Sequence, residues 1–200
     1  MPRPETEELV EWAKDWMEGE GNGGKRWRVL DVGTGTGCIG ISLAKECKGV
    51  KVEGVEICRL AKELTEENVE IFRVEFGEGS EYGGVWEGGI VDYQVKGYDL
   101  IVSNPPYIPR KDMEGLERNV KEWEDYGALE GGEDGLDVIR EILEYAKGGG
   151  VKRGGRVFIE GDEGHPKMIE TMVREWGWEG KVEKRTDLRG RERFVMVQVF

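Results

Sequence analysis

Long apolar runs are missing from this chain of 200 residues. None approaches the roughly 20 residues that a bilayer-crossing helix requires, so no membrane span is expected and the chain reads as soluble. Basic residues are scarce: 29 Lys and Arg stand against 42 Asp and Glu, a formal charge of -13. No uniform positive field therefore draws the chain onto nucleic acid or anionic lipid. Cysteine is limited to Cys38, Cys47 and Cys58, an odd number without C-x-x-C spacing. That argues against a disulfide framework or a zinc site and fits a reducing compartment. The amino terminus, Met1 to Glu5, carries neither an apolar signal core nor an arginine-rich transit stretch, so no address label is expected in this chain.

What is plentiful is glycine, 32 residues, more than twice the average share of about 7%. Clusters such as Gly19 to Gly24, Gly77 to Gly79 and Gly148 to Gly150 read as long flexible connections. Between them, helical and strand patterns alternate. Leu9, Trp12, Ala13, Trp16 and Met17 predict an amphipathic helix after Pro4. Strands are predicted at Arg28 to Val32, Val50 to Ile57, Val69 to Val74, Tyr98 to Ser103, Arg156 to Glu160, Lys181 to Lys184 and Arg193 to Phe200. Helices are predicted from Ile39, from Leu60 to Asn68, around Leu116 to Trp123, from Leu136 to Ala146 and from Lys167 to Trp176. This alternation implies an α/β fold, a doubly wound and mostly parallel sheet of about seven strands, forming one domain over residues 1–200. The turn Asp187 to Gly190 is short enough to make the last two strands antiparallel.

Two segments carry the chemistry. In Asp31-Val32-Gly33-Thr34-Gly35-Thr36-Gly37, three alternating glycines follow a strand, so backbone can approach a ligand and a helix can start beneath it. Glu56, at the end of the next strand, is placed to accept from both hydroxyls of a ribose. Gly35 to Gly40 also fits G-x-G-x-x-G, the dinucleotide fingerprint of a nicotinamide-dependent dehydrogenase, but that frame puts Gly33 inside the strand. Asp31 suits a ligand with a cationic amino group better than a pyrophosphate. A tight turn with no ligand is the structural alternative.

The second segment, Asn104-Pro105-Pro106-Tyr107, follows a strand and so lies at the carboxyl edge of the sheet. Its prolines make it stiff. The Asn104 carbonyl and the Pro105 backbone carbonyl can hold a planar amino group through two in-plane acceptors, with Tyr107 on its flat face; an ordinary turn is the alternative. His165, between Gly164 and Pro166, is expected to cap or support a loop. Trp12, Trp16, Trp123, Trp176 and Trp178 are expected in the core or at an interface, and Lys152 to Arg156 in a solvated turn.

With these motifs the chain resembles the class I S-adenosylmethionine-dependent methyltransferases. The segments Arg3 to Leu9, Glu124 with Ala128 to Leu136, and Asp187 to Arg193 narrow the resemblance to the HemK/PrmC family, which methylates the glutamine of the Gly-Gly-Gln loop in peptide-chain release factors. The resemblance implies S-adenosylmethionine as cofactor, with Asp31, Gly33, Thr34, Gly35, Thr36, Gly37, Glu56 and Asn104 around it. It implies that Asn104, Pro105, Pro106 and Tyr107 hold the substrate glutamine. The implied partner is a release factor, acting in translation termination, with no direct nucleic-acid or membrane partner and a monomeric enzyme. Asp125 and His165-Pro166 look like the organellar branch, which implies the mitochondrion. The family's helical amino-terminal domain has no counterpart in these residues, and a family glutamine near position 165 is replaced by His165. Methylation of an exocyclic amine on a nucleic-acid base and a non-catalytic remnant of the fold are the competing expectations.

Overall fold

The computed structural model describes residues 3–20, 25–116, 125–178 and 180–200. Pro4 occupies the first turn of α1 (Pro4–Gly19), where its missing N–H costs nothing. Leu9, Trp12, Ala13 and Met17 recur at helical spacing and are buried, and the Trp12 ring meets Phe158 edge-on at 5.0 Å. This contact seats α1 against the sheet, with its first turn at the sheet's carboxyl edge.

Among the described residues seven strands form one sheet: β1 (Trp27–Val32), β2 (Val50–Glu56), β3 (Glu81–Glu87), β4 (Tyr98–Ser103), β5 (Val151–Glu160), β6 (Val182–Thr186) and β7 (Glu192–Gln198). Their order is β3-β2-β1-β4-β5-β7-β6. The first five are parallel, and β7 runs antiparallel to both β5 and β6, as the short turn implied. Helices α2 (Cys38–Glu46), α3 (Arg59–Phe72), α4 (Asp137–Tyr145) and α5 (His165–Glu175) lie between strands. Both faces of the central strands are covered, so they read as apolar runs: Val29, Leu100 and Val102 pack with α1 and α2, while Leu30, Val32 and Ile101 pack with α4 and α5. The strand order reverses between β1 and β4, the position where doubly wound sheets open a crevice at their carboxyl ends. Val32 lies opposite Ser103 there, and the Ser103 hydroxyl donates to the Val32 carbonyl at 2.7 Å.

The sequence pattern misplaced the third strand. Residues 69–72 continue α3, residues 73–75 form a 3-10 turn, and the strand is Glu81–Glu87, inside the stretch taken for a glycine-rich excursion. It is an exposed edge strand containing Gly83 and Gly84, so it has no apolar alternation to announce it. Two of the glycine clusters are also tighter than flexible linkers, and residues 21–24 of the Gly19 to Gly24 cluster lie outside the described residues. A Cβ on Gly77 would sit 2.1 Å from the Cys47 carbonyl oxygen, and Gly150 is buried, with a Cβ there 2.3 Å from the Tyr145 ring. Lys152 to Arg156 lie in β5, not in a turn. Trp12 and Trp178 are buried, whereas the helix expected to Trp123 falls outside the described residues apart from Leu116, which ends a 3-10 turn. All three cysteines are free thiols. No described helix is long and apolar enough to cross a membrane.

Candidate active site

The chain leaves β1 through Gly33, Gly35 and Gly37, with φ of 68°, 58° and 80°. Side-chain-bearing residues rarely adopt these angles, which accounts for the alternation of glycine with threonine. Gly33 therefore belongs to the turn, as the nucleoside frame requires and the dinucleotide frame does not. The loop is held from several sides. The Gly33 and Thr34 amides donate to the Val55 carbonyl at 2.8 and 3.2 Å, the Thr65 hydroxyl donates to the Gly35 carbonyl at 2.7 Å, and the Asn68 amide donates to the Thr36 carbonyl at 2.9 Å.

Asp31 is fully buried beneath this loop. Its Oδ2 accepts from the Thr34 hydroxyl at 2.8 Å and the Gly40 amide at 3.0 Å, while Oδ1 is buried without a donor. Burial pushes the carboxyl up to about 6. An orphaned carboxylate oxygen in such a place favours a cationic or donor-bearing ligand nearby. Glu56 ends β2 on the other side of the loop: Oε2 accepts from the Gly35 amide at 2.9 Å and Oε1 from the Cys58 amide at 2.8 Å. Each oxygen keeps a second lone pair, so the carboxylate can still accept from a ribose while it braces the loop. These features fit a sulfonium nucleoside.

Across the strand reversal, Asn104 leaves β4 beside the glycine loop's own strand. Its Nδ2 donates to the Thr6 hydroxyl at 3.1 Å, and neither its Oδ1 nor the Pro105 carbonyl has a hydrogen-bond donor among the described residues. The Tyr107 hydroxyl accepts from Arg193 at 2.9 Å, and its ring meets His165 edge-on at 6.3 Å. His165 is buried, and its Nδ1 accepts from the Asp162 amide at 3.0 Å, so it braces a loop and the turn together. Burial holds the imidazole below its ordinary range. Behind the turn runs the segment Leu129 to Leu136, joined through Ile108 N to Leu129 O and Gly131 N to Ile108 O, both 2.9 Å. A cavity of about 120 Å³ is lined by Asn104 to Ile108 with Arg3, Ala128 and Leu129.

The fold thus brings the glycine loop and the Asn104 turn to adjacent strand ends, although that cavity contains no residue of 33–37. Thr6, Glu160 and Arg193, which had no assigned part in the sequence pattern, meet at the turn. Glu124, quoted for the resemblance, lies outside the described residues.

Sheet order, glycine loop and strand-end turn together define a class I methyltransferase domain, and a family profile described as methyltransferase small domain matches residues 19–120. Solved structures share the fold: the catalytic domain of human METTL16 with an RNA hairpin gives a TM-score of 0.70 at 14% identity, covering 100% of this chain and 72% of that one. The ribosomal protein L11 methylase of Lactobacillus delbrueckii gives 0.59 at 20%, covering 99% and 81%. Among curated proteins, the release factor glutamine methyltransferase of Bacillus anthracis is 34% identical over 201 residues, with 100% of this chain and 68% of that protein covered. The human MTRF1L release factor glutamine methyltransferase is 34% identical over 212 residues, with 99% of this chain but 60% of the human protein covered. The chain belongs to the release factor glutamine methyltransferase family.

Proposed function

We infer that the protein transfers a methyl group from S-adenosylmethionine to the side-chain nitrogen of a release-factor glutamine. The observation that carries this is a pair of acceptors without a donor among the described residues, Asn104 Oδ1 and the Pro105 carbonyl, on one stiff turn at the strand reversal. When bound, S-adenosylmethionine supplies an electrophilic methyl on a sulfonium sulfur; Asp31, Glu56 and the loop from Gly33 to Gly37 would hold it. The curated relatives supply the substrate class.

An amide nitrogen is a poor nucleophile because its lone pair is delocalised into the carbonyl, so the protein must work mainly by orientation. Two acceptors in the plane of the NH2 group direct both N–H bonds and leave the nitrogen face open. Such alignment can contribute about 7–11 kcal/mol. The same two oxygens accept hydrogen bonds from the N–H groups and so stabilise the positive charge that develops on nitrogen until one N–H proton passes to solvent. Tyr107, pinned by Arg193 and His165, would cover the flat face of the amide. Arg3 and Leu129 also line the cavity.

Radiolabelled S-adenosylmethionine offered with a release factor, with DNA or with RNA tests this. Label is expected on the release-factor glutamine alone and is lost in Asn104→Ala; label on nucleic acid alone overturns it. The mitochondrial compartment implied by the resemblance belongs to the same proposal, and immunodetection in fractionated cells checks it.

A further inference from the structure

Glu160 ends β5 at the carboxyl edge of the sheet and is fully buried. Its Oε2 accepts from the Thr6 hydroxyl at 2.9 Å, Thr6 in turn accepts from Asn104 Nδ2 at 3.1 Å, and Oε1 has no donor among the described residues. The three residues lie 98 and 154 positions apart in sequence and meet only in the fold. Burying a carboxylate with one oxygen unsatisfied costs stability, and a neutral side chain would fill that space at a lower cost. The ionised acid supplies something a neutral amide cannot: it only accepts.

That one-way property propagates. Thr6 has a single hydroxyl proton and gives it to Glu160, so toward Asn104 it can only accept. Asn104 must then present its NH2 to Thr6, which leaves Oδ1 as the group free to meet a ligand. Without this chain the two ends of the amide are nearly isosteric, and the side chain could turn over. A turned-over Asn104 would direct NH2 at a substrate NH2, and the two donors would repel.

We propose that Thr6 and Glu160 are positioning residues that lock the Asn104 amide with its carbonyl available to the substrate. The lock deepens the function inferred above and rests on it. The groups facing Glu160 are Arg193 from β7, Arg3 and Glu5 from the start of α1, and the Tyr107 hydroxyl from the turn. Burial raises the Glu160 carboxyl above its ordinary range. Protonation at falling pH lets it donate and removes the polarity of the chain, so wild-type kcat carries an acid limb above the usual carboxylate value of about 4.3.

Three variants test the lock: Thr6→Val and Glu160→Gln, which are near-isosteric but remove or reverse the chain, and Thr6→Ser, which keeps it. On release factor, kcat is expected to fall about 10- to 100-fold in the first two. S-adenosylhomocysteine binding should stay as in wild type, and Thr6→Ser should retain most activity. The acid limb should be missing from Glu160→Gln. Melting temperature should hold or rise in Glu160→Gln, because a buried charge is removed; a merely structural acid would lower kcat and melting together. Side-chain amide NMR reads the lock without turnover: the Asn104 NH2 protons, assigned by their loss in Asn104→Ser, should exchange slowly in wild type and Thr6→Ser and quickly in Thr6→Val. Equal exchange in all of them, or wild-type kcat in Thr6→Val or Glu160→Gln, overturns the proposal. If wild type leaves the release factor unmethylated while the exchange pattern appears, the inferred substrate is wrong and the lock stands.

Discussion

Substituting Gly131 by alanine displaces the substrate turn without touching it in sequence. A Cβ at Gly131 would lie 2.7 Å from the Pro106 carbonyl oxygen, 2.8 Å from the Gly135 carbonyl oxygen and 2.8 Å from the Tyr107 Cα. All three are backbone atoms, so none can swing aside. The φ of Gly131 is not positive, so alanine adds no dihedral strain and the effect is steric alone. Ordinary contact requires the turn to retreat by about 0.6 Å. Overpacking of this kind costs about 1–3 kcal/mol, a fall in Tm of about 2–12 °C for a chain of this size. A shift approaching 1 Å in a reacting group costs about 100-fold, so kcat should fall about 10- to 100-fold. The glycine loop hangs from a different strand, so S-adenosylhomocysteine affinity measured by calorimetry should stay within about twofold, roughly 0.4 kcal/mol. Gly115→Ala, where a Cβ meets nothing within 4 Å, is the control and should change neither quantity. Full activity in Gly131→Ala would refute the claim that the turn's position sets the rate. An equal loss of cofactor affinity would show general disruption instead.

Gly37→Ala puts a side chain at φ 80° with its Cβ 2.8 Å from Thr65 Cγ2. The left-handed strain of about 1–2 kcal/mol should weaken S-adenosylhomocysteine binding about tenfold by calorimetry, and unchanged affinity contradicts the loop's assignment. For Asp31 the folded-state value is raised, to about 6, so its contribution to stability is largest at low pH and is lost as pH rises. The loss across pH 4 to 7 amounts to about 2 kcal/mol. Ligand-free Asp31→Asn should therefore show a flatter melting profile than wild type over that range, and parallel profiles count against a strained carboxylate. Tyr107→Phe removes the bond from Arg193 but keeps the ring; stability should fall about 1 kcal/mol in urea titration. Its kcat should drop far less than in Asn104→Ala, and equal losses would mean the hydroxyl, not the ring, matters.

The parts of the site written as local strings were legible beforehand. Glycines at 33, 35 and 37 need positive φ, and the prolines at 105 and 106 fix a corner, so each announces its own geometry. The closing antiparallel pair followed from a turn too short for a crossover. The third strand was not legible, because Glu81–Glu87 pairs with β2 by backbone at an exposed edge, while Val69, Ile71 and Phe72 carried enough apolar character to imitate a strand. Thr6 and Glu160 could not be assigned a part because their meaning lies in contacts across the fold. Asp31, expected to face a ligand, also anchors the loop, a part visible only in the fold. Gly131 and Gly135 belong to the segment Ala128 to Leu136, whose physical reason, close backbone contact with the turn, emerges only in three dimensions.

A crystal structure of the protein with S-adenosylhomocysteine and a Gly-Gly-Gln peptide puts the central claim to its most direct measurement. The glutamine amide nitrogen should lie about 2.9 Å from both Asn104 Oδ1 and the Pro105 carbonyl oxygen. A glutamine held elsewhere, or an Asn104 that offers its NH2 to the peptide, would contradict it.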